Sequence, residues 1–125
     1  MRRFRHIGAA AAIAVLAAAC AHTSSPGSAG HGAVNVGALY PTSGAQGSEG
    51  AEEFHGVELA AEWANAHGGM GGRQYQLVPV DAEKAEAVPA AMTSLGHKGV
   101  TVVLGSHASA ISAAAADVAT KEHMS

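Results

Sequence analysis

Short apolar runs alternate with longer stretches of helical period from residue 34 to the end of the chain. Three of these runs have the length and the β-branched content typical of strands. They cover Val34–Leu39, Gln74–Val80 and Val100–Gly105. The third run is unbroken and uncharged, which predicts a strand that is buried on both faces of a sheet.

A predicted helix follows each predicted strand. Residues 51–67 place apolar side chains on one arc and polar ones opposite. Leu59 and Trp63 widen that arc, which predicts a helix covered on more than one side. A second helix is predicted over 83–95, with its regular part starting near Pro89, because proline lacks the backbone N–H that a helix interior needs. The third, over 111–123, is rich in alanine.

This alternation predicts an α/β fold with a parallel sheet, since right-handed crossovers connect successive strands. Pro79 favours an edge position for the second strand, because proline cannot donate to a neighbour. The predicted strand order is therefore 2-1-3 in a partial doubly wound sheet of β-α-β-α-β-α type. Strands one and three then send their helices to opposite faces, which creates a switch point where ligands bind beyond the carboxyl ends of the strands.

Two loops meet at this switch point, Thr42–Gly50 and Ser106–Ala110. Both are rich in small and hydroxyl residues and both lead into helix N-termini, whose free N–H groups favour an anionic group such as a carboxylate. Serines at such positions also cap helices routinely. For Ser106 and Ser109 the sequence alone leaves capping and ligand binding equally open.

The first 33 residues differ in composition from the rest. Three arginines within the first six residues precede an uncharged apolar run of 13 residues, Ile7–Ala19. A membrane-spanning helix needs about 20 apolar residues, so residues 1–19 are predicted to form a secretory signal peptide. Residues 20–33 are rich in serine and glycine and are predicted to form a flexible tether.

The only cysteine, Cys20, directly follows that apolar run. The small residues before it resemble a bacterial lipobox, in which the signal is cut just before the cysteine and the thiol is acylated. The departure is Ala17, where leucine is usual. A lipid anchor on Cys20 is therefore expected, and the alternative is an ordinary signal peptide with a cysteine near its end by chance.

Charge and motif spacing exclude several function classes. Without the signal peptide, four scattered basic residues face ten acidic ones, which disfavours nucleic-acid binding. The histidines show no metal-binding spacing, and Gly44, Gly47 and Gly50 do not have the spacing of a dinucleotide-binding loop. Neither Ser43 nor Ser109 lies in a GxSxG motif. We therefore expect no enzyme activity, no metal and no cofactor.

Three segments of the chain carry a family resemblance in their order and spacing. They read VNVGALYPTSG, EEFHGVELAAEWANAHGGMGGRQYQLVPVD and GVTVVLGSHASA. The most specific part is the helix end N-A-x-G-G followed by x-G-R and a strand, residues 65–73. Together they resemble the opening of the leucine-binding branch of type I periplasmic binding proteins, the solute receptors of branched-chain amino-acid ABC transporters. The resemblance implies a two-lobed fold in which residues 34–125 form the first part of lobe 1, as a truncated chain or a fragment.

The resemblance also implies candidate ligand-binding residues. In the family, the loop after the third strand supplies a serine that holds the amino-acid head group, and Ser109 matches that position. Ser106 and Ala108 are further candidates in the same loop, and Ser43 is one in the loop after the first strand. Glu49 stands where several relatives have an aromatic residue, which favours a cationic or hydroxyl-rich ligand.

The resemblance and the lipobox together imply a function and a location. The expected protein is an extracytoplasmic solute-binding protein of an ABC importer, which binds an amino acid or related small polar solute between two lobes. It would deliver the solute to a membrane permease and ATPase complex while lipid-anchored at the outer face of the cytoplasmic membrane or in the periplasm. The alternative is a ligand-sensing or interaction lipoprotein that uses the same lobe without transport.

Overall fold

A computed structural model describes residues 32–125 of the chain. The predicted signal peptide, Cys20 and most of the predicted tether lie outside the described residues. The strands are β1 (Val34–Tyr40), β2 (Tyr75–Asp81) and β3 (Val102–Gly105), and the helices are α1 (Gly47–Ala66), α2 (Val88–His97) and α3 (Ser109–Glu122). Short 3₁₀ turns precede α1 and α2, at Gly44–Gln46 and Ala85–Ala87.

The three strands form a parallel sheet in the order β2-β1-β3. The α/β class and the strand order predicted from Pro79 are confirmed. β1 pairs with β2 along its whole length and with β3 over Val36–Leu39. Because all three strands run the same way, Tyr40, Asp81 and Gly105 end on one side of the sheet, which we call the carboxyl edge.

One face of the sheet is closed by α2 and α3, which pack against each other. Alternate residues along a strand point to opposite faces, and those on this face enter a continuous core. A Cβ atom at Gly37 would lie 2.9 Å from the Leu95 side chain, so the missing side chain lets α2 approach β1 closely. The buried core residues, each no more than 3% exposed, are Leu39, Ala82, Val88, Met92, Leu95, Val100 and Ile111.

Within residues 32–125 the other face of the sheet carries α1 alone, and it is partly open. Val102 and Leu104 of β3 are 42% and 40% exposed. With Val36, Val57 and Ala61 they line an apolar groove of about 480 Å³. The prediction that β3 is buried on both faces is therefore wrong, because within residues 32–125 α1 contacts β1 and β2 and leaves this side of β3 uncovered.

Helix α1 is likewise covered on one side only. Phe54 and Val57 are half-buried against the sheet, whereas Leu59 is 68% and Trp63 is 64% exposed. The prediction that this helix is covered on more than one side is wrong for the same reason. Trp63 instead stacks on the His67 ring, with 4.2 Å between ring centroids. None of the helices in residues 32–125 is long and apolar enough to cross a membrane.

The edge of the sheet opposite the carboxyl edge is fixed by two polar side chains. The Asn65 carboxamide accepts the Tyr75 N–H at 2.7 Å and donates to the Tyr75 carbonyl at 2.9 Å. Arg73 donates to the carbonyls of Gly32 at 2.7 Å and Ala33 at 3.2 Å. The segment 65–73 thus joins the end of α1 to the beginnings of β1 and β2, which is a structural role.

Candidate functional site

The loop from β1 to α1 is anchored at the carboxyl edge by two carboxylates. Asp81, the last residue of β2, accepts the Thr42 N–H at 2.8 Å and the hydroxyl of Ser43. Glu83 accepts the Ala45 N–H at 2.7 Å. The predicted site residue Ser43 therefore lies at this edge, with its hydroxyl engaged by the protein itself.

These hydrogen bonds stabilise the ionised form of Asp81. They hold the pKa of Asp81 below the usual value of a carboxyl group, and the Ser43 hydroxyl contributes most, followed by the Thr42 N–H. Partial desolvation acts in the opposite direction and is outweighed. The loop is thus held by a charged anchor at neutral pH.

The beginning of α1 packs tightly on the end of β1. Gly50 is buried in the first turn, and a Cβ atom there would overlap the carbonyl oxygen of Pro41. Glu49, next to it, is exposed in the same turn, where the positive end of the helix dipole favours a carboxylate. Glu49 therefore presents an accessible negative charge near the carboxyl edge.

The loop from β3 to α3 is shaped by Gly105 and Ser106. Gly105 has a φ of 140°, and a Cβ atom there would overlap the Leu39 carbonyl oxygen, so the position requires glycine. The Ser106 hydroxyl donates to the Ala108 carbonyl at 3.1 Å and lies 3.0 Å from the Ser112 hydroxyl. The hydroxyl of Ser106 therefore bonds within the loop and the start of α3. The carbonyl of Ala108 accepts that hydrogen bond.

Helix α3 begins at Ser109 without a side-chain cap. The Ile111 and Ser112 N–H groups both donate to the Ala108 carbonyl at 3.0 Å, whereas Ser109 is exposed and its N–H and hydroxyl find no acceptor or donor within residues 32–125. Uncapped N–H groups and the dipole make such a helix start suitable for a carboxylate. Ser109 is therefore the candidate whose polar groups are free for a ligand.

A side-chain pair joins helix α1 to the loop between β3 and α3. The Nδ1 atom of His107 lies 3.0 Å from Oε1 of Glu53, with the side chains 23% and 46% exposed. Burial, and then the charge of Glu53, raises the pKa of Tyr40 at the end of β1. The Tyr40 ring also packs on Phe54, with 6.2 Å between centroids. His107, Glu53 and Tyr40 are thus polar groups near the ends of β1 and β3.

Sequence reasoning missed this pair. Glu53 lies on the face of α1 that lines the groove rather than among the polar residues opposite, and His107 had no evident partner 54 residues away. The available signal was topological, because both residues follow neighbouring strands and so reach the same edge of the sheet.

The predicted site residues come together at the carboxyl edge on two loops, but the described chain does not enclose them. The groove of about 480 Å³ lies on the open face, and its lining includes none of the predicted site residues. It is lined mainly by apolar side chains, which fits an uncovered sheet face better than a site for a polar solute. Residues 32–125 contain no group of three histidine, cysteine or acidic side chains placed to hold a metal ion.

The sequence model of the periplasmic binding protein family matches residues 33–124. The chain belongs to this family. One similar protein is Leu/Ile/Val-binding protein homolog 7 of Brucella abortus, which is 35% identical to this chain over 107 residues. The aligned residues make up 85% of this chain and 26% of the relative. Homolog 8 of the same organism is 36% identical over 86 residues, 68% of this chain and 21% of the relative.

Solved structures of periplasmic binding proteins share the fold. The branched-chain amino acid transporter substrate binding protein LivJ from Streptococcus pneumoniae, in complex with isoleucine, aligns with a TM-score of 0.70 and 30% identity. The alignment covers 74% of this chain and 27% of that one. A solute binding protein of an ABC transporter from R. palustris, in complex with benzoate, aligns with a TM-score of 0.61 and 28% identity over 72% of this chain and 25% of that one.

These comparisons confirm the family resemblance and the fold class. The periplasmic binding protein family is a solute-binding family of extracytoplasmic bacterial proteins that work with ABC transporters, and it is not an enzyme family. The chain spans about a quarter of the length of the curated relatives it matches, 26% for homolog 7.

Proposed function

We propose that this chain provides part of the solute-binding lobe of an ABC importer and holds the head group of an amino acid or a related small polar solute at the carboxyl edge. The observation that carries this proposal is the uncapped start of α3, where the N–H and hydroxyl of Ser109 have no partner within the described range. The solute would then pass to a membrane permease and its ATPase.

The chemistry of the edge supports an amino-acid head group. A ligand carboxylate can accept hydrogen bonds from the free N–H groups and the hydroxyl at the start of α3, and charge-assisted bonds of this kind are about twice as strong as neutral ones. The exposed carboxylate of Glu49 lies in the first turn of α1, directly after the loop that follows β1, and can attract a ligand ammonium group. One wall thus offers complementary charge to both ends of a zwitterion.

Calorimetric titration of the chain with a panel of L-amino acids tests the proposal. We expect saturable binding of at least one member, and we expect Ser109→Ala to weaken it about tenfold, the effect of losing one charge-assisted hydrogen bond. Ser125→Ala is the matched control, because Ser125 pairs through its backbone with Thr101 and Val103 at the far end of β3. Absence of binding across the whole panel would refute the proposed function.

We further propose that the mature chain is attached to the membrane through lipid on Cys20. The support is the sequence alone: a positively charged start, a short apolar run and small residues before the cysteine. Several acyl chains should hold the protein firmly, since one chain alone binds a membrane only marginally. Cys20→Ser should move the protein from the membrane to the soluble fraction of bacterial cells. Retention of that variant in the membrane would contradict a lipid anchor.

A further inference from the structure

The pair formed by His107 and Glu53 stands beside the proposed head-group site. His107 precedes Ser109 by two residues in the loop that leads into α3. Glu53 lies one helical turn after Glu49 on α1, so both carboxylates share a face of that helix. The 3.0 Å contact between His107 and Glu53 therefore connects α1 to the loop that leads into α3, the two elements between which the solute would lie.

The contact leaves one ring nitrogen of His107 available. Nδ1 is engaged by Glu53, whereas Nε2 has no hydrogen-bond partner within residues 32–125. A carboxylate bound to one ring nitrogen fixes the tautomer and the orientation of the imidazole, and so defines what the other nitrogen offers. With 23% of the side chain exposed, the ring is mostly enclosed yet still accessible.

Two further polar side chains lie near the Glu53 end of the pair. Tyr40 lies within electrostatic range of Glu53, and Glu49 adds an exposed carboxylate one turn away. An aliphatic ligand side chain packed here would remove water from these groups without replacing its hydrogen bonds, which is unfavourable. A ligand group that donates and accepts hydrogen bonds would replace them.

We propose that His107, held in place by Glu53, is a specificity-determining residue, and that the site favours solutes with a hydrogen-bonding side group, such as a carboxamide or hydroxyl, over branched aliphatic ones. The inference rests on the proposed function, because it concerns the same site. It distinguishes this chain from its neighbour that was crystallised with isoleucine.

Nuclear magnetic resonance of the isotope-labelled chain tests the inference with two probes, L-glutamine and L-isoleucine. Their head groups are identical, so the Ser109 amide should shift with both. The His107 ring signals should shift with glutamine and not with isoleucine. We expect glutamine to bind at least about fivefold more tightly, as expected when a buried polar group keeps its hydrogen bond.

Three variants separate specificity from structure. His107→Leu should reverse the preference in favour of isoleucine, a gain that loss of structure cannot produce. Glu53→Gln should bring the two affinities closer together, because the ring loses its charged partner. Glu52→Gln is the matched control, since Glu52 is an exposed neighbour on α1, and it should leave the preference unchanged.

The outcomes distinguish the inference from the function on which it rests. Equal affinities, with Ser109 shifting and His107 unaffected by either probe, would overturn the role of His107 and leave solute binding intact. No shift at Ser109 with either probe would defeat the proposed head-group site and the specificity inference together.

Discussion

The two faces of the sheet differ in how completely they are covered. On one face, α2 and α3 bury Leu39 and Leu95 almost fully. On the other face, α1 leaves Val102 and Leu104 about two-fifths exposed beside an apolar groove. Residues of one strand that differ by a single position therefore experience different surroundings. In the described residues, one face of the sheet is therefore part of a closed core and the other face is partly exposed.

The carboxyl edge draws on both faces. Helix α1, on the open face, supplies Glu49 and Glu53, and α3, on the closed face, begins at Ser109. Ile111, two residues after Ser109, is buried in the closed core, whereas Glu53 lies on α1, which is less covered. The His107 contact with Glu53 ties the two halves of the edge to each other.

Truncating a core side chain should have the largest effect on stability. Leu95→Ala removes a fully buried side chain of α2 and should lower the free energy of unfolding by about 2–5 kcal/mol. Leu59→Ala on the exposed side of α1 should change it by less than about 0.5 kcal/mol. Urea denaturation followed by circular dichroism measures both, and similar losses in the two variants would contradict the difference between the faces.

A glycine at the carboxyl edge gives the next largest expected effect. Gly105→Ala places a Cβ atom against the Leu39 carbonyl at a φ of 140° and should cost about 1–3 kcal/mol. Gly56→Ala, in α1 with no atom within 4 Å of its Cβ position, should instead stabilise the chain by about 0.5–1 kcal/mol. Thermal unfolding of both variants should show melting temperatures that shift in opposite directions.

Two neighbouring residues of β3, Val102 and Val103, allow the two faces of the sheet to be compared within one strand. Val103 packs against the closed core, so Val103→Ala should cost about 1 kcal/mol in unfolding free energy. Val102 faces the open groove, and Val102→Ala should cost less than about 0.5 kcal/mol. Denaturation measurements giving equal costs would mean that the groove is covered in solution.

The smallest expected effect concerns the anchor of the first loop. Asp81→Asn should lower the free energy of unfolding by about 0.5–1 kcal/mol at neutral pH, because a charged acceptor strengthens exposed hydrogen bonds by about that amount. Because the folded pKa of Asp81 lies below its ordinary value, this contribution is present above the unfolded pKa of about 3.9 and is lost as pH falls through the folded pKa. Unfolding measured between pH 2 and 7 should show the two proteins converging at low pH. A constant difference would contradict the charged anchor.

The sequence was sufficient to predict the parallel sheet and its order, because the strand–helix alternation and Pro79 are local signals that the tertiary structure obeys. It also indicated that regular α2 starts near Pro89, and the helix begins at Val88. The sequence did not predict which surfaces are covered. The β-branched run 100–105 and the residues Leu59 and Trp63 are apolar, as core residues are, yet parts of them are exposed. Composition cannot say whether another element packs over them.

The candidate site divides in the same way. The loop that carries Ser106 and Ser109 could be located because loops after adjacent parallel strands share an edge, whereas Glu49 was a candidate only through the family resemblance. Two contacts depend on side-chain geometry between distant parts of the chain: the pair formed by His107 and Glu53, and the hydrogen bond from the Ser43 hydroxyl to Asp81. Patterns along the sequence do not encode such distances.

Mapping of amide chemical-shift changes during an amino-acid titration tests most directly where a solute binds. Binding at the carboxyl edge should perturb the amides of residues 42–50 and 106–112 and leave those of residues 65–74, at the opposite edge, unchanged. Changes concentrated at residues 57–64 and 102–104 would place the solute in the apolar groove instead. That result would contradict a binding site at the start of α3.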